Sequence, residues 1–314
     1  MPDIQELPEG AKIICSGLQF PEGPVAASDG SVYLVEIAAE TVTRIGPDGQ
    51  RSVLSAIGGG PNGLAVGPDR KLYVCNAGGS IWRRDSGLLR PGPGNPPHYT
   101  SGRIETVDPE TGEVTLLYDR CGERMLRAPN DLVFDRHGGF YFTDFGRIRE
   151  TDRDHGGIYY ARADGSFITE LVFPISMPNG IGLSPDGKHL YVAETETARI
   201  WAYGVPEPGK LDKLSFPSPN GGRLICGLAG FHRFDSLAIA ANGDICVATL
   251  STGCITVIAA NGDIRRQIPV PDPLPTNICF GGPDNRTAYI TLAGTGHLLS
   301  MPWDGPGLEL AYNL

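Results

Sequence analysis

Pro129-Asn130-Asp131-Leu132-Val133-Phe134-Asp135-Arg136-His137-Gly138-Gly139-Phe140-Tyr141-Phe142-Thr143-Asp144 reads as a strand, a tight turn and a returning strand. The apolar runs are β-branched or aromatic, and the Arg-His-Gly-Gly between them suits a hairpin turn with positive φ. The same pattern recurs five more times, opening on Pro21-Glu22-Gly23, Pro61-Asn62-Gly63, Pro178-Asn179-Gly180, Phe234-Asp235-Ser236 and Thr276-Asn277-Ile278. In chain order the central residues lie 40, 68, 49, 56 and 42 residues apart, in or just above the range of propeller blades. Seven residues after each centre stands a turn residue: Asp29, Asp69, His137, Asp186, Asn242 and Asp284. Returning strands such as Val32-Tyr33-Leu34-Val35, Leu72-Tyr73-Val74-Cys75 and Leu190-Tyr191-Val192-Ala193 follow. The expected fold is all-β, a six-bladed β-propeller of one domain over residues 1–314, with six oxygen-bearing side chains converging on its axis as a central metal site.

Composition agrees. The 43 glycines and 27 prolines suit many short strands joined by turns, and no stretch sustains a helical period. The net charge of −10, with basic residues scattered, argues against nucleic acid as a partner. No apolar run approaches membrane-spanning length, and the N-terminus lacks the basic start and apolar core of a signal peptide. A cytoplasmic protein, free of membrane partners and either a monomer or a small homo-oligomer, is expected. The seven cysteines lack paired spacing and several fall inside strand patterns, as structural filler would.

Further strand pairs complete the blades, the last of them expected from residues 297–301 and 308–312. Lys12-Ile13-Ile14-Cys15 could add a strand to that final blade and join the chain ends. Two stretches break the rhythm: residues 83–102, with Arg-Pro-Gly-Pro-Gly-Asn-Pro-Pro-His, read as an extended loop, and residues 205–223 carry four prolines.

The axial set holds two carboxylates, Glu22 and Asp235, and neutral amides at Asn130 and Asn179, without His or Cys. All-oxygen donors suit a hard divalent cation, and two carboxylates facing each other would repel without one. Asn62 and Asn277 are expected to bond water or substrate, and Asn130 to serve both metal and substrate. Hairpin geometry places a second ring about fourteen residues on, at Glu36, Asn76, Asp144, Glu194 and Thr249, either orienting the ligands or capping strands.

Pro21-Glu22-Gly23-Pro24, residues 130–135 with Phe142-Thr143-Asp144, Pro178-Asn179-Gly180-Ile181 and Asp235-Ser236 together form a pattern spanning nearly the whole chain. On these motifs the chain resembles the senescence marker protein, gluconolactonase and luciferin-regenerating-enzyme-like family. Residues 139–145, 156–160 and 192–200 look most like its drug-responsive bacterial lactonase branch. The resemblance implies a metal site at Glu22, Asn130, Asn179 and Asp235 and hydrolysis of a lactone or related ester. Calcium is the first expectation for the single divalent ion, with zinc, manganese, magnesium and iron as alternatives. It implies Asp235 as the catalytic proton-transferring residue; Asp131 and Asp144 are reserve acids or bases. Sugar-lactonase members carry Arg two residues before the Asn matching Asn130; here Ala128 stands there, with Arg127 one step earlier. The related diisopropyl fluorophosphatase holds a second calcium through an acidic residue three after its Asp, a place taken here by Ala238. A phosphotriesterase-like hydrolase and a non-catalytic propeller pinned by its metal are the alternative readings.

Overall fold

The computed structural model describes residues 6–314 and contains six four-stranded antiparallel sheets. Blade 1 comprises Pro21–Ala26, Val32–Glu36, Thr41–Ile45 and Arg51–Ala56; blade 2 comprises Pro61–Val66, Leu72–Asn76, Arg103–Val107 and Val114–Tyr118. Pro129–Phe134, Gly139–Asp144, Gly156–Arg162 and Ile168–Ile175 form blade 3, and Pro178–Leu183, His189–Glu194, Arg199–Gly204 and Arg223–Gly227 form blade 4. Blade 5 is Arg233–Ile239, Ile245–Leu250, Cys254–Ile258 and Ile264–Pro269. In blade 6, Pro275–Gly281, Thr287–Leu292 and His297–Pro302 come from the end of the chain, while the outermost strand, Lys12–Ser16, comes from its start. Each first strand packs against the first strands of its two neighbours, and Pro275–Gly281 against Pro21–Ala26 closes the ring.

The first hairpin of every blade turns as its composition dictates. Gly30, Arg70, Gly138, Gly187, Gly243 and Asn285, each following the turn residue named above, all have positive φ, between 55° and 87°. Asp29 and Asp186 cap their turns by accepting the N–H of Ser31 and Lys188 at 2.9 and 3.1 Å. Second strands such as Val32–Glu36 and Leu72–Asn76 are buried throughout, packed between blades, whereas outer strands such as Arg51–Ala56 face water. That gradient from apolar interior to polar rim is the main stabilising feature of the ring.

One device recurs at the axis. The inner strand of every blade carries one residue more than its partner at its head: Pro129 pairs with Asp144 and Leu132 with Phe142, and the other five blades repeat the shift. Such a bulge bends the strand and re-aims the side chains beside it. Gly63 shows how tightly the heads meet, since a Cβ there would lie 2.5 Å from the Asn130 carbonyl oxygen.

Two expectations change. Residues 83–102 are not simply a loop: Ile81–Asp85 and Leu88–Gly92 form a separate hairpin. Residues 308–312 are not a blade strand, because Lys12–Ser16 already occupies that edge. The displaced tail crosses the face carrying the first-hairpin turns, held by Leu308 N–H to the Ile239 carbonyl (2.9 Å), Ser28 N–H to the Leu314 carbonyl (3.0 Å) and Tyr312 edge-on to Phe134. It lines the far end of a cavity of about 620 Å³ that runs along the axis between Leu64, Leu132, Ile181, Leu237 and Ile278.

Candidate metal centre and active site

At the opposite end, the strand heads form a polar cup. Glu22 is buried; its Oε2 accepts from Asn277 Nδ2 at 2.8 Å and from the Gly23 N–H, while Oε1 has no partner among the described residues. Asn130 is buried too, and its Oδ1 is likewise unpaired. Asn179 donates from Nδ2 to Thr195 Oγ1 at 3.1 Å, which orients the amide, and its Oδ1 accepts from Ser236 Oγ at 3.3 Å. Asp235 is half-buried beside Asn179.

A third carboxylate shares this space. Asp131, one residue beyond Asn130, is buried, lines the head of the axial cavity and accepts the Leu132 N–H at 2.9 Å. Desolvation pushes its pKa up to about 7. Asp235 is pushed up to about 7 by desolvation, opposed by the neighbouring Asn179 amide and reinforced by the charge of Asp131. Glu22 is raised by desolvation and then by the charges of Asp235 and Asp131. Three mutually repelling carboxyls without a basic partner demand protons or a cation.

The donors present fit a divalent ion. Among the described residues no three His, Cys, Asp or Glu side chains alone make a metal cluster, so any site here depends on amide oxygens. Within the cup, Glu22 Oε1 and Asn130 Oδ1 are buried without a hydrogen bond among the described residues, and both are of the hard type that calcium and its relatives take. An orphaned buried acceptor costs roughly 1–3 kcal/mol, and coordination removes that cost.

Other expected residues fall elsewhere. Asp144, the other reserve acid or base, accepts three backbone bonds: Oδ2 takes the Arg127 N–H (2.7 Å), and Oδ1 those of Ala128 (2.8 Å) and Gly146 (3.0 Å). In the second ring Glu36 caps Gln19 N–H and Asn76 caps Gly60 N–H, each at 2.8 Å, whereas the Thr249 hydroxyl bonds the Val247 carbonyl and Thr256. Asn277 bonds Glu22 and the Ile278 N–H instead of standing free, so it positions the carboxylate. Asn62 is half-buried at its strand head. Arg127 turns away from the axis toward Asp154 and the His155 carbonyl. Thr195 and Ser236, which hold Asn179, were given no role of their own by the sequence; adjacency to Glu194 and Asp235 was the available signal.

The separate hairpin overhangs the cup from blade 2. Leu89 donates its N–H to the Gly294 carbonyl of blade 6 at 3.1 Å, and Trp82 packs on Phe20, ring centroids 5.0 Å apart, two residues before Glu22. Arg147 of blade 3 secures the insertion's return, donating to Asn95 Oδ1 (2.8 Å) and the Ala77 carbonyl (3.0 Å) and stacking over Tyr99.

A six-bladed propeller whose axial cup gathers Glu, Asn, Asn and Asp defines a class of protein with hard oxygen donors set at the mouth of a channel. Residues 20–294 match the SMP-30/Gluconolactonase/LRE-like region, and the chain belongs to that family. It is 27% identical over 304 residues to a gluconolactonase of Zymomonas mobilis, covering 89% of this chain and 78% of the relative. It is 26% identical to lactonase drp35 of Staphylococcus epidermidis, covering 83% of this chain and 72% of that protein. Its fold matches a Xanthomonas campestris gluconolactonase (TM-score 0.72, 22% identity, 93% of this chain and 89% of that one). It also matches a calcium-binding regucalcin of Agrobacterium tumefaciens (TM-score 0.73, 18% identity, 96% and 97%).

Proposed function

We propose that this protein is a divalent-metal-dependent lactonase that opens a cyclic ester by attack of water on its carbonyl. The observation that carries the reading is the cup itself: two unpaired buried oxygens, from Glu22 and Asn130, beside Asn179 and Asp235. The names of the gluconolactonase and lactonase relatives support the reaction class. Glu22, Asn130, Asn179 and Asp235 would hold the ion, with calcium first. Bound there, the ion supplies Lewis-acid polarisation of an ester carbonyl.

The chain's own residues do the rest. Asn277 and Thr195 fix the donor faces of Glu22 and Asn179 through hydrogen bonds of 2.8 and 3.1 Å. Asp235, half-buried and so open to the mouth, takes the proton of the attacking water at a carboxylate oxygen and returns it to the leaving alkoxide. Asp131, whose pKa is pushed up to about 7, is the reserve base. Asn130 and Asn62 flank the position a lactone would occupy. Seven free cysteines agree with a reducing, cytoplasmic setting.

The test is a lactone panel with a fluorophosphate arm, run on metal-stripped protein reconstituted with calcium, manganese, magnesium, zinc or iron. Lactone turnover should return with a divalent ion. Undiminished turnover under chelation, no lactone turned over, or preference for the fluorophosphate would each sink the reading.

A further inference from the structure

The far side of the mouth from the overhanging hairpin has a different chemistry. Glu196, on the loop after His189–Glu194, pairs with Arg153 through Oε2 and with Arg233 through Oε1, the latter at 3.4 Å. Two guanidiniums on one carboxylate leave a local charge of +1.

The trio is tied to the segments that carry Asn179 and Asp235. Glu196 follows Thr195, which holds the Asn179 amide. Arg153 Nη1 also lies 3.2 Å from the sulfur of Met177, two residues before Asn179. Arg233 precedes Asp235 by two residues and is steadied by the exposed Phe231 ring, 5.6 Å from its guanidinium. All three side chains reach water, with 31–48% of their surface exposed. An exposed ion pair adds little to stability, so folding is a weak reason for the arrangement.

Resting on the lactonase reading, we infer that the substrate is a lactone carrying an anionic substituent, a carboxylate, which Arg153 and Arg233 bind by displacing Glu196. A chain of net charge −10 disfavours the approach of such a molecule, and guanidiniums at the rim offset that. Guanidiniums suit the task, since each offers paired N–H donors matched to a carboxylate. Glu196 engages both guanidiniums until the substrate group arrives.

The experiment compares kcat/KM for a ring-carboxylated five-membered lactone with that for its methyl ester. Hydrogen bonds to charged groups contribute about 1.5–3 kcal/mol, so Arg153→Gln and Arg233→Gln should each lower the acid-to-ester ratio by about tenfold or more, chiefly through KM. Glu196→Gln, which removes the internal competitor, should raise the ratio. An unchanged ratio in both arginine variants, or a lower one in Glu196→Gln, overturns the inference. If the wild type opens no lactone at all, the lactonase reading fails, and calorimetric titration with the ring-opened dicarboxylate tests the anion site by itself. Binding at least about tenfold weaker in Arg233→Gln supports it, and absent or unchanged binding overturns it.

Discussion

Glu22→Gln keeps the side chain's size and removes one of the three charges crowded into the cup, so its consequences separate by metal state. In calorimetric titration the variant should lose more divalent-ion affinity than the roughly 10–100-fold that loss of an outer partner costs; the latter figure is expected for Asn277→Ala and Thr195→Ala. Without metal, the same Glu22→Gln should melt at a higher temperature than the wild type, because repulsion with Asp131 and Asp235 is relieved. Unaltered ion affinity would remove Glu22 from the site. The pH dependence follows from the raised groups. Asp131 and Asp235, with pKa values pushed to about 7, hold protons in the folded state that the unfolded chain releases above about 4. Their contribution to stability is therefore complete below about 4 and lost as pH rises through about 7. Chelated protein should melt higher at pH 5.5 than at pH 7.5, and saturating calcium, which favours the ionised carboxyls, should shrink or reverse the difference. A chelated protein that melts higher at pH 7.5 would contradict the clustering. At this scale the pairing of two axial carboxyls was legible because Glu22 and Asp235 stand where the other repeats carry amides. The role of Asn277 was not, since a hydrogen bond across 255 residues of sequence leaves no local mark.

The hairpin is the element that repeats, and its register was readable because a turn seven residues on returns the chain beside its start. Asp144, Asn76 and Glu194 do pair opposite the strand heads at Pro129, Pro61 and Pro178. What they do there depends on a neighbouring loop. Asp144→Ala would strand the N–H groups of Arg127, Ala128 and Gly146 without their acceptor. At about 1–3 kcal/mol for each buried orphan, a loss of at least about 3 kcal/mol is expected in guanidinium denaturation. A loss under about 1 kcal/mol would mean that water reaches those amides. The bulge was invisible, because inner strands buried almost throughout, such as Pro129–Phe134 and Pro178–Leu183, show no alternation against which an extra residue could be read. Yet it gives Asp131 its place at the cup beside Asn130. Gly63→Ala tests how closely the strand heads must approach: its Cβ would meet the Asn130 carbonyl oxygen at 2.5 Å and the Asp131 Cα at 2.6 Å. Overpacking against backbone should cost about 1–3 kcal/mol and weaken ion binding together with stability. Full ion affinity in that variant would show that the heads can part without disturbing the donors.

For the molecule as a whole, closure of the ring rests on Lys12–Ser16 completing blade 6. Deleting residues 1–16 would expose His297–Pro302 as an open edge, and the truncated protein should melt lower and scatter light as it associates edge to edge. A truncated protein that stays monomeric with an unchanged melting temperature would show that the ring needs no such fastening. The same closure frees residues 308–312 to cross the channel end, the outcome that strand propensity alone misassigned. Residues 83–102 went astray for a related reason: proline and glycine signalled a loop, but contacts with Gly294 and Phe20 on other blades fold part of it into a hairpin. By itself the sequence determined six blades, their turns and the oxygen-bearing strand heads, because turn residues and β-branched runs act on their immediate neighbours and repeat in step. Only the tertiary structure decided which of those oxygens remain unpaired, which carboxyls share one desolvated cup and which segment takes the last edge. Hydrogen-bond satisfaction, charge repulsion and edge pairing are settled between residues far apart in the chain, and no local pattern records them.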